Sequence, residues 1–105
     1  MIFTGVKQAA NEKAAAELAE LPVIRIASNG YEVVAERMWS LHPGDHYLTI
    51  VLARSPKDQR AYGDEFVTWG FNKQTGGYFE GHYWPSFNAA DAVKDFETRG
   101  RKPAK

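Results

Sequence analysis

Apolar and polar positions alternate most densely between Glu65 and Trp84, EFVTWGFNKQTGGYFEGHYW, which predicts two aromatic strands joined by a glycine turn. Lys73-Gln74-Thr75-Gly76 suits a four-residue hairpin loop, with Gly76 free to take positive φ. Aligned on that loop, Asn72 faces Gly77, Phe71 faces Tyr78, Trp69 faces Glu80 and Val67 faces His82. Side chains alternate between the faces of a strand. One face then carries Val67, Trp69, Phe71, Tyr78, Glu80 and His82, with Trp84. The other carries Phe66, Thr68, Gly70, Phe79, Gly81 and Tyr83, where the two glycines leave hollows for rings or a packed helix. So many rings read first as core and cross-strand pairing, each pair contributing about 0.2–1 kcal/mol.

Upstream, Val6, Ala10, Ala14 and Leu18 recur every four residues and Leu21 continues the row, predicting a helix over residues 6–20. Its alanine-rich stripe is thin, so the helix packs loosely or belongs to a partner surface. Pro22 breaks it. Val23 to Ala27 reads as a strand, and Asn29-Gly30 as a two-residue hairpin turn. Residues 31–40 alternate, with Tyr31, Val33, Ala35, Arg37 and Trp39 on one side and Glu32, Val34, Glu36, Met38 and Ser40 on the other. A helix with Val34, Met38 and Leu41 on one face also fits; the preceding Asn-Gly favours the strand. His42-Pro43-Gly44-Asp45 is a turn.

Tyr47 to Ala53, YLTIVLA, is apolar almost throughout and predicts a central strand buried on both faces. Residues 54–64 form a polar loop of a size that often carries function. After Pro85, Ser86 or Asn88 caps a helix reaching about Arg99, with Ala89, Ala92, Val93 and Phe96 as its apolar stripe. Asp91 in the first turn and Arg99 in the last suit the helix dipole, and Gly100 stops the helix. Residues 101–105, RKPAK, read as a disordered basic tail. The order α-β-β-β-β-β-α predicts one α+β domain over residues 1–100. It is an antiparallel meander of four to five strands with the N-terminal and C-terminal helices on one face, in two layers. The other sheet face stays partly open and is a candidate binding surface.

Composition narrows the functional classes. Thirteen Lys and Arg balance thirteen Asp and Glu, which argues against both a strongly basic nucleic-acid binder and an acidic DNA mimic. The absence of cysteine excludes disulfides, zinc–thiolate sites and cysteine nucleophiles. No signal peptide and no apolar run of membrane-spanning length is visible, so the expected location is the cytoplasm.

Three constellations carry candidate chemistry. His42 and His46, four apart, could meet His82 as metal ligands, although a turn does not bring such a pair onto one face as a helix would. Glu80 and His82 are candidate catalytic residues for proton transfer, on one face of the hairpin beside Trp69. Nucleophile elbow, phosphate loop and dinucleotide fingerprint are all missing, and no cofactor is indicated. Trp69, Phe71, Tyr78, Tyr83 and Trp84 could stack nucleic-acid bases, with Arg54, Lys57, Arg60 and Lys73 supplying charge and Arg99, Arg101, Lys102 and Lys105 a second cluster. The same exposed rings and arginines are also favoured anchors for a protein partner or a homodimer.

Phe66-Val67-Thr68-Trp69, Thr75-Gly76-Gly77, Gly81-His82-Tyr83 and Asp95-Phe96 together make the last 40 or so residues resemble small proteins encoded by bacteriophages, plasmids and other mobile elements. That resemblance implies a non-enzymatic accessory factor. Some such proteins, the anti-CRISPR proteins among them, bind and block host defence machinery by occluding a surface. The leading expectation is a protein-binding module; single-stranded nucleic-acid binding is the alternative, followed by a small acid–base or metal-dependent enzyme.

Overall fold

The computed structural model describes residues 2–42, 46–56 and 65–99, with only the backbone course given for residues 2–7, 39–42, 46–48 and 86. Helix α1 (Ile2–Glu20) leads into five strands: β1 (Arg25–Ile26), β2 (Glu32–His42), β3 (His46–Arg54), β4 (Phe66–Asn72) and β5 (Gly77–Trp84). A 3-10 turn (Ser86–Asn88) and helix α2 (Ala89–Thr98) follow. Each strand pairs antiparallel with the next, in the order β1-β2-β3-β4-β5. The α+β meander and both terminal helices are as the sequence predicts, with α1 starting four residues earlier than expected, and strand β2 runs Glu32–His42. The basic tail lies outside the described residues.

Two cores form because the sheet is apolar on both faces. Beneath the helices, Leu18, Val34, Leu52, Phe66, Ala89 and Ala92 pack together, joined by Trp84, Val93 and Phe96. On the opposite face, Ala27, Val33, Val51, Ala53, Val67 and Trp69 form a second cluster, closed by Tyr31, Phe71 and Tyr78. β3, third of five, is buried on both faces from Thr49 to Arg54. This second face is therefore a layer of rings and not an open platform.

Two bulges decide which residues reach which core. On β5, Glu80 and Gly81 together oppose Trp69, so Thr68 pairs with His82, Val67 with Tyr83 and Phe66 with Trp84. Glu80 takes the left-handed conformation, φ 52°. An unbulged hairpin would put Trp69 opposite Glu80 and Val67 opposite His82, as the sequence suggests; the extra residue exchanges the faces beyond it. His82 and Trp84 therefore join the helix side, while Gly81 and Tyr83 join the rings. On β2, Val33 pairs with Ala53 and Ala35 with Leu52, leaving Val34 as the extra residue. Ala35 and Arg37 thus face the helices, and Glu36 and Met38 face the rings with Tyr31 and Val33.

The local turns follow their sequences. Gly76 (φ 76°) closes the β4–β5 loop, and its N–H donates to the Asn72 carbonyl. Asn72 Oδ1 accepts from the N–H groups of Gln74 and Thr75. The first hairpin uses three loop residues, Ser28, Asn29 and Gly30, and not two. Ala27 N–H donates to the Tyr31 carbonyl, and Gly30 takes φ 92°. β1 itself is only two residues long, shorter than the Val23–Ala27 strand the sequence suggests.

The helices meet through an unexpected cap. Asn88 makes no side-chain cap bond to α2. The Ala90 N–H instead donates to Oδ1 of buried Asn11, on α1, at 2.9 Å. On α1, Asn11 and Leu18 are buried and Ala14 and Ala15 partly buried, with Ala10 exposed. A two-layer arrangement built from such a small-residue helix needs this polar tie, because alanine contributes little burial.

Candidate functional site

The rings expected to stack bases are largely engaged with one another. Trp69 is only 6% exposed. Its ring meets Tyr78 at 5.0 Å, Tyr31 at 5.9 Å and Tyr83 at 6.3 Å between centroids. Phe71 and Tyr78 pack at 4.8 Å. Trp84 is half-buried against the helix-side core. Tyr83, 48% exposed, is the member of the set left open to solvent.

Arg25 roofs this cluster from the far edge of the sheet. Its guanidinium carbon lies 4.3 Å from the Phe71 ring centre. Nε donates to Tyr78 Oη at 3.3 Å and Nη2 to Glu36 at 2.8 Å. Burial alone would lower the Arg25 pKa, but the bonds to Glu36 and Tyr78 outweigh it and the net shift is upward. A flat sheet would separate β1 and β4 by three strand spacings, about 14 Å. The contact is made because the sheet curls toward the ring side. A second bridge, Lys73 Nζ to Met38 Sδ at 3.6 Å, joins β2 to the β4–β5 loop over the same concavity.

The charged candidates have other duties. Arg54 ends β3 and is not a loop residue. It is 7% exposed, donating from Nη1 to the carbonyls of Leu18 (2.6 Å) and Leu21 (2.8 Å) and from Nε to Glu32 (2.8 Å). It satisfies carbonyls at the end of α1 that the helix leaves unpaired. Arg99 is likewise anchored, donating to the Thr68 carbonyl at 2.8 Å and to the Glu80 carbonyl. Burial pushes its pKa below the ordinary value, partly offset by Asp95 and Glu80. Lys57 and Arg60 lie outside the described residues.

Glu80 and His82 do not form an acid–base pair. Among the described residues no hydrogen bond or ion pair joins them. The Glu80 carboxylate approaches Arg99 at 3.7 Å, whereas His82 Nδ1 lies 2.9 Å from Asp95 Oδ2. The same Asp95 oxygen accepts from Thr68 Oγ1 at 2.5 Å. The sequence reading missed Asp95 as the histidine's partner, because only the β5 bulge turns His82 toward α2. An Asp–His pair can carry a proton, but here its hydroxyl neighbour is bonded to the carboxylate and not to the imidazole. Thr68 is also fully buried, so no substrate reaches it. The cluster beside it, lined by Trp84, Asp91, Lys94, Asp95 and Thr98, is a shallow hollow of about 380 Å³. Its evident work is to bind β4, β5 and α2 together.

The three histidines do not converge. His42 and His46 are backbone partners at the tip of the β2–β3 hairpin, and their side chains lie outside the described residues. His82 pairs with Thr68, which pairs with Leu52. Six residues along β3 separate Leu52 from His46, roughly 20 Å at strand spacing. No three His, Asp or Glu side chains among the described residues group as metal ligands.

What sequence reasoning missed is an apolar strip at the opposite edge. Leu21, Val23, Ile24 and Ile26 are 36%, 42%, 49% and 58% exposed. They follow one another along the chain into β1, which among the described residues has no neighbouring strand on its outer side. The signal was available in the run Leu21-Pro22-Val23-Ile24-Arg25-Ile26, but it reads equally well as a buried strand. Beside it, Ala14, Leu18, Leu21, Ala35, Val93 and Phe96 line a groove of about 300 Å³ between the two helices.

No helix among the described residues is long and apolar enough to cross a membrane. Comparisons with models of protein families, with curated proteins and with solved structures find no match to this chain.

Proposed function

We propose that this chain is a small binding protein that acts by direct protein–protein contact, with the apolar strip at the β1 edge as its contact surface. One observation carries the reading: four large apolar side chains, Leu21, Val23, Ile24 and Ile26, stand exposed along the segment that leads into the edge strand β1. Edge strands invite pairing with another chain, and contiguous apolar surface favours burial on binding. The main-chain groups on the free side of β1 would add hydrogen bonds to an incoming extended segment. The resemblance of the C-terminal stretch to mobile-element accessory proteins points to a host protein as the target and to surface occlusion as the mode of action. The nucleic-acid alternative is weakened by the burial of Trp69 and the internal engagement of Phe71, Tyr78, Arg54 and Arg99.

The test is affinity capture from a bacterial lysate, with and without nuclease, using the native chain and the double variant Ile24→Lys/Ile26→Lys. The expected result is a discrete protein partner that survives nuclease and is lost with the double variant. Recovery of nucleic acid, with protein lost after nuclease treatment, would overturn the reading and favour Tyr83 and the basic residues.

A further inference from the structure

We infer that the groove between α1 and α2 receives a basic amphipathic helix of a partner protein. This rests on the protein-contact reading above and adds the partner's chemistry.

The groove has the shape for side-chain knobs. Its floor is Ala35 and Leu52, one wall is Ala14, Leu18 and Leu21, and the other is Val93 and Phe96. A volume of about 300 Å³ compares with the roughly 150 Å³ of a cavity that holds one benzene-sized group. Two such groups fit, which suits two leucine-sized side chains one helical turn apart. Helices lying in grooves present their anchors at i, i+3, i+4 and i+7.

The groove is continuous with the exposed strip. Arg25 faces the rings, so Ile26 faces the helix side, opposite Glu32 of β2. Leu21 belongs to both surfaces, being exposed and lining the groove. The strip therefore meets the groove at Leu21, with the Glu32–Arg54 pair beside Ile26.

Charge selects the occupant. Glu17 and Glu97 stand exposed on opposite lips. Neither carboxylate has a hydrogen bond or ion pair among the described residues. Glu20, also exposed, lies one turn from Glu17 on α1. Arg37 also lines the groove, with its guanidinium 4.8 Å from the Phe96 ring centre. An incoming helix with Lys or Arg flanking its apolar stripe meets carboxylates on both sides. An acidic helix, or a nucleic acid, meets repulsion.

The test uses two synthetic 14-residue amphipathic helices with one leucine pattern, one filled with lysine and the other with glutamate. Binding to the full chain is followed by titration calorimetry and by amide shifts. The expected result is at least tenfold tighter binding of the lysine peptide, with shifts at Leu18, Leu21, Val93 and Phe96. Adding salt should weaken that binding. The surface variant Glu17→Lys/Glu97→Lys should reverse the preference. Ala14→Leu, which narrows the groove, should weaken both peptides by at least tenfold while the lip variant stays folded as a control. Equal binding of both peptides, shifts elsewhere, or an unchanged preference after charge reversal would overturn the inference. So would a concentration-dependent rise in mass without peptide, which assigns the groove to a second copy. If Ile24→Lys/Ile26→Lys abolishes partner capture but the peptides show no preference, the contact reading stands and the basic-helix inference falls.

Discussion

Single residues in this protein hold together elements that the sequence keeps far apart. Arg54 is the clearest: one buried guanidinium joins β3 to the last carbonyls of α1 and to Glu32. Replacing it with Met keeps the apolar stem but orphans those acceptors. Hydrogen bonds to charged groups contribute about 1.5–3 kcal/mol, and an orphaned buried partner adds to the loss. Arg54→Met should therefore lower stability by about 2–4 kcal/mol in urea unfolding. A loss below 0.5 kcal/mol would return Arg54 to the pool of cations free for a ligand. Asn11→Ala removes the borrowed cap of α2, and the expected loss is about 1 kcal/mol. Trp69→Ala should cost about 3–5 kcal/mol because the ring is the centre of a closed cluster. If it leaves stability intact, the ring is a surface group and the nucleic-acid reading regains ground.

At the scale of elements, strand order was legible in the sequence and the assignment of faces was not. Proline, Asn-Gly and Thr-Gly-Gly mark the turns, and apolar runs mark strands and helices, so the meander follows from local chemistry. A bulge is a two-against-one pairing, and nothing in Phe79-Glu80-Gly81-His82 distinguishes it from regular alternation. That one extra residue moved His82 to Asp95 and Tyr83 to Trp69, dismantling the Glu80–His82 pair. Val34 did the same for β2. The apolar strip escaped notice for a different reason: exposure depends on what lies next to a strand, which local pattern does not encode. The bulge makes a testable demand on its backbone. A side chain at positive φ is strained by roughly 1–2 kcal/mol relative to glycine. The Glu80 carbonyl accepts from Arg99 whatever the side chain is. Glu80→Gly should then stabilise the protein by about 0.5–1 kcal/mol after its own unfolded-state entropy is counted. The neighbouring Gly81 behaves oppositely. A Cβ there would lie 2.7 Å from the Tyr83 ring and 2.8 Å from Trp69 Nε1. Since Trp69 is buried and cannot yield, Gly81→Ala should lose about 1–3 kcal/mol. Thermal or urea unfolding of the pair checks both signs.

The molecule as a whole is a curled sheet whose two edges differ in how they are secured. β5 is held from the helix side by Asp95 and Arg99 through His82 and Glu80. β1 is held by a two-residue ladder and by Arg25, which reaches across the concavity to Phe71 and Tyr78. The edge bearing the apolar strip is thus tied to the far side of the sheet by the Arg25 side chain. Short edge elements with few buried contacts open at lower free energy than the central strands. Removing the tie should make β1 a separately opening unit. In Arg25→Gln, the amides of Ile24 and Ala27, which donate to β2 and its adjoining turn, should exchange about tenfold faster or more. That factor corresponds to about 1.4 kcal/mol of lost local stability. Amides of Val51 and Leu52 in the middle of the sheet should keep their protection. Hydrogen exchange followed by NMR reads both sets in one experiment. Equal acceleration everywhere would mean that β1 opens only when the whole domain unfolds. The contact strip would then be a rigid edge, and a partner would meet it already formed.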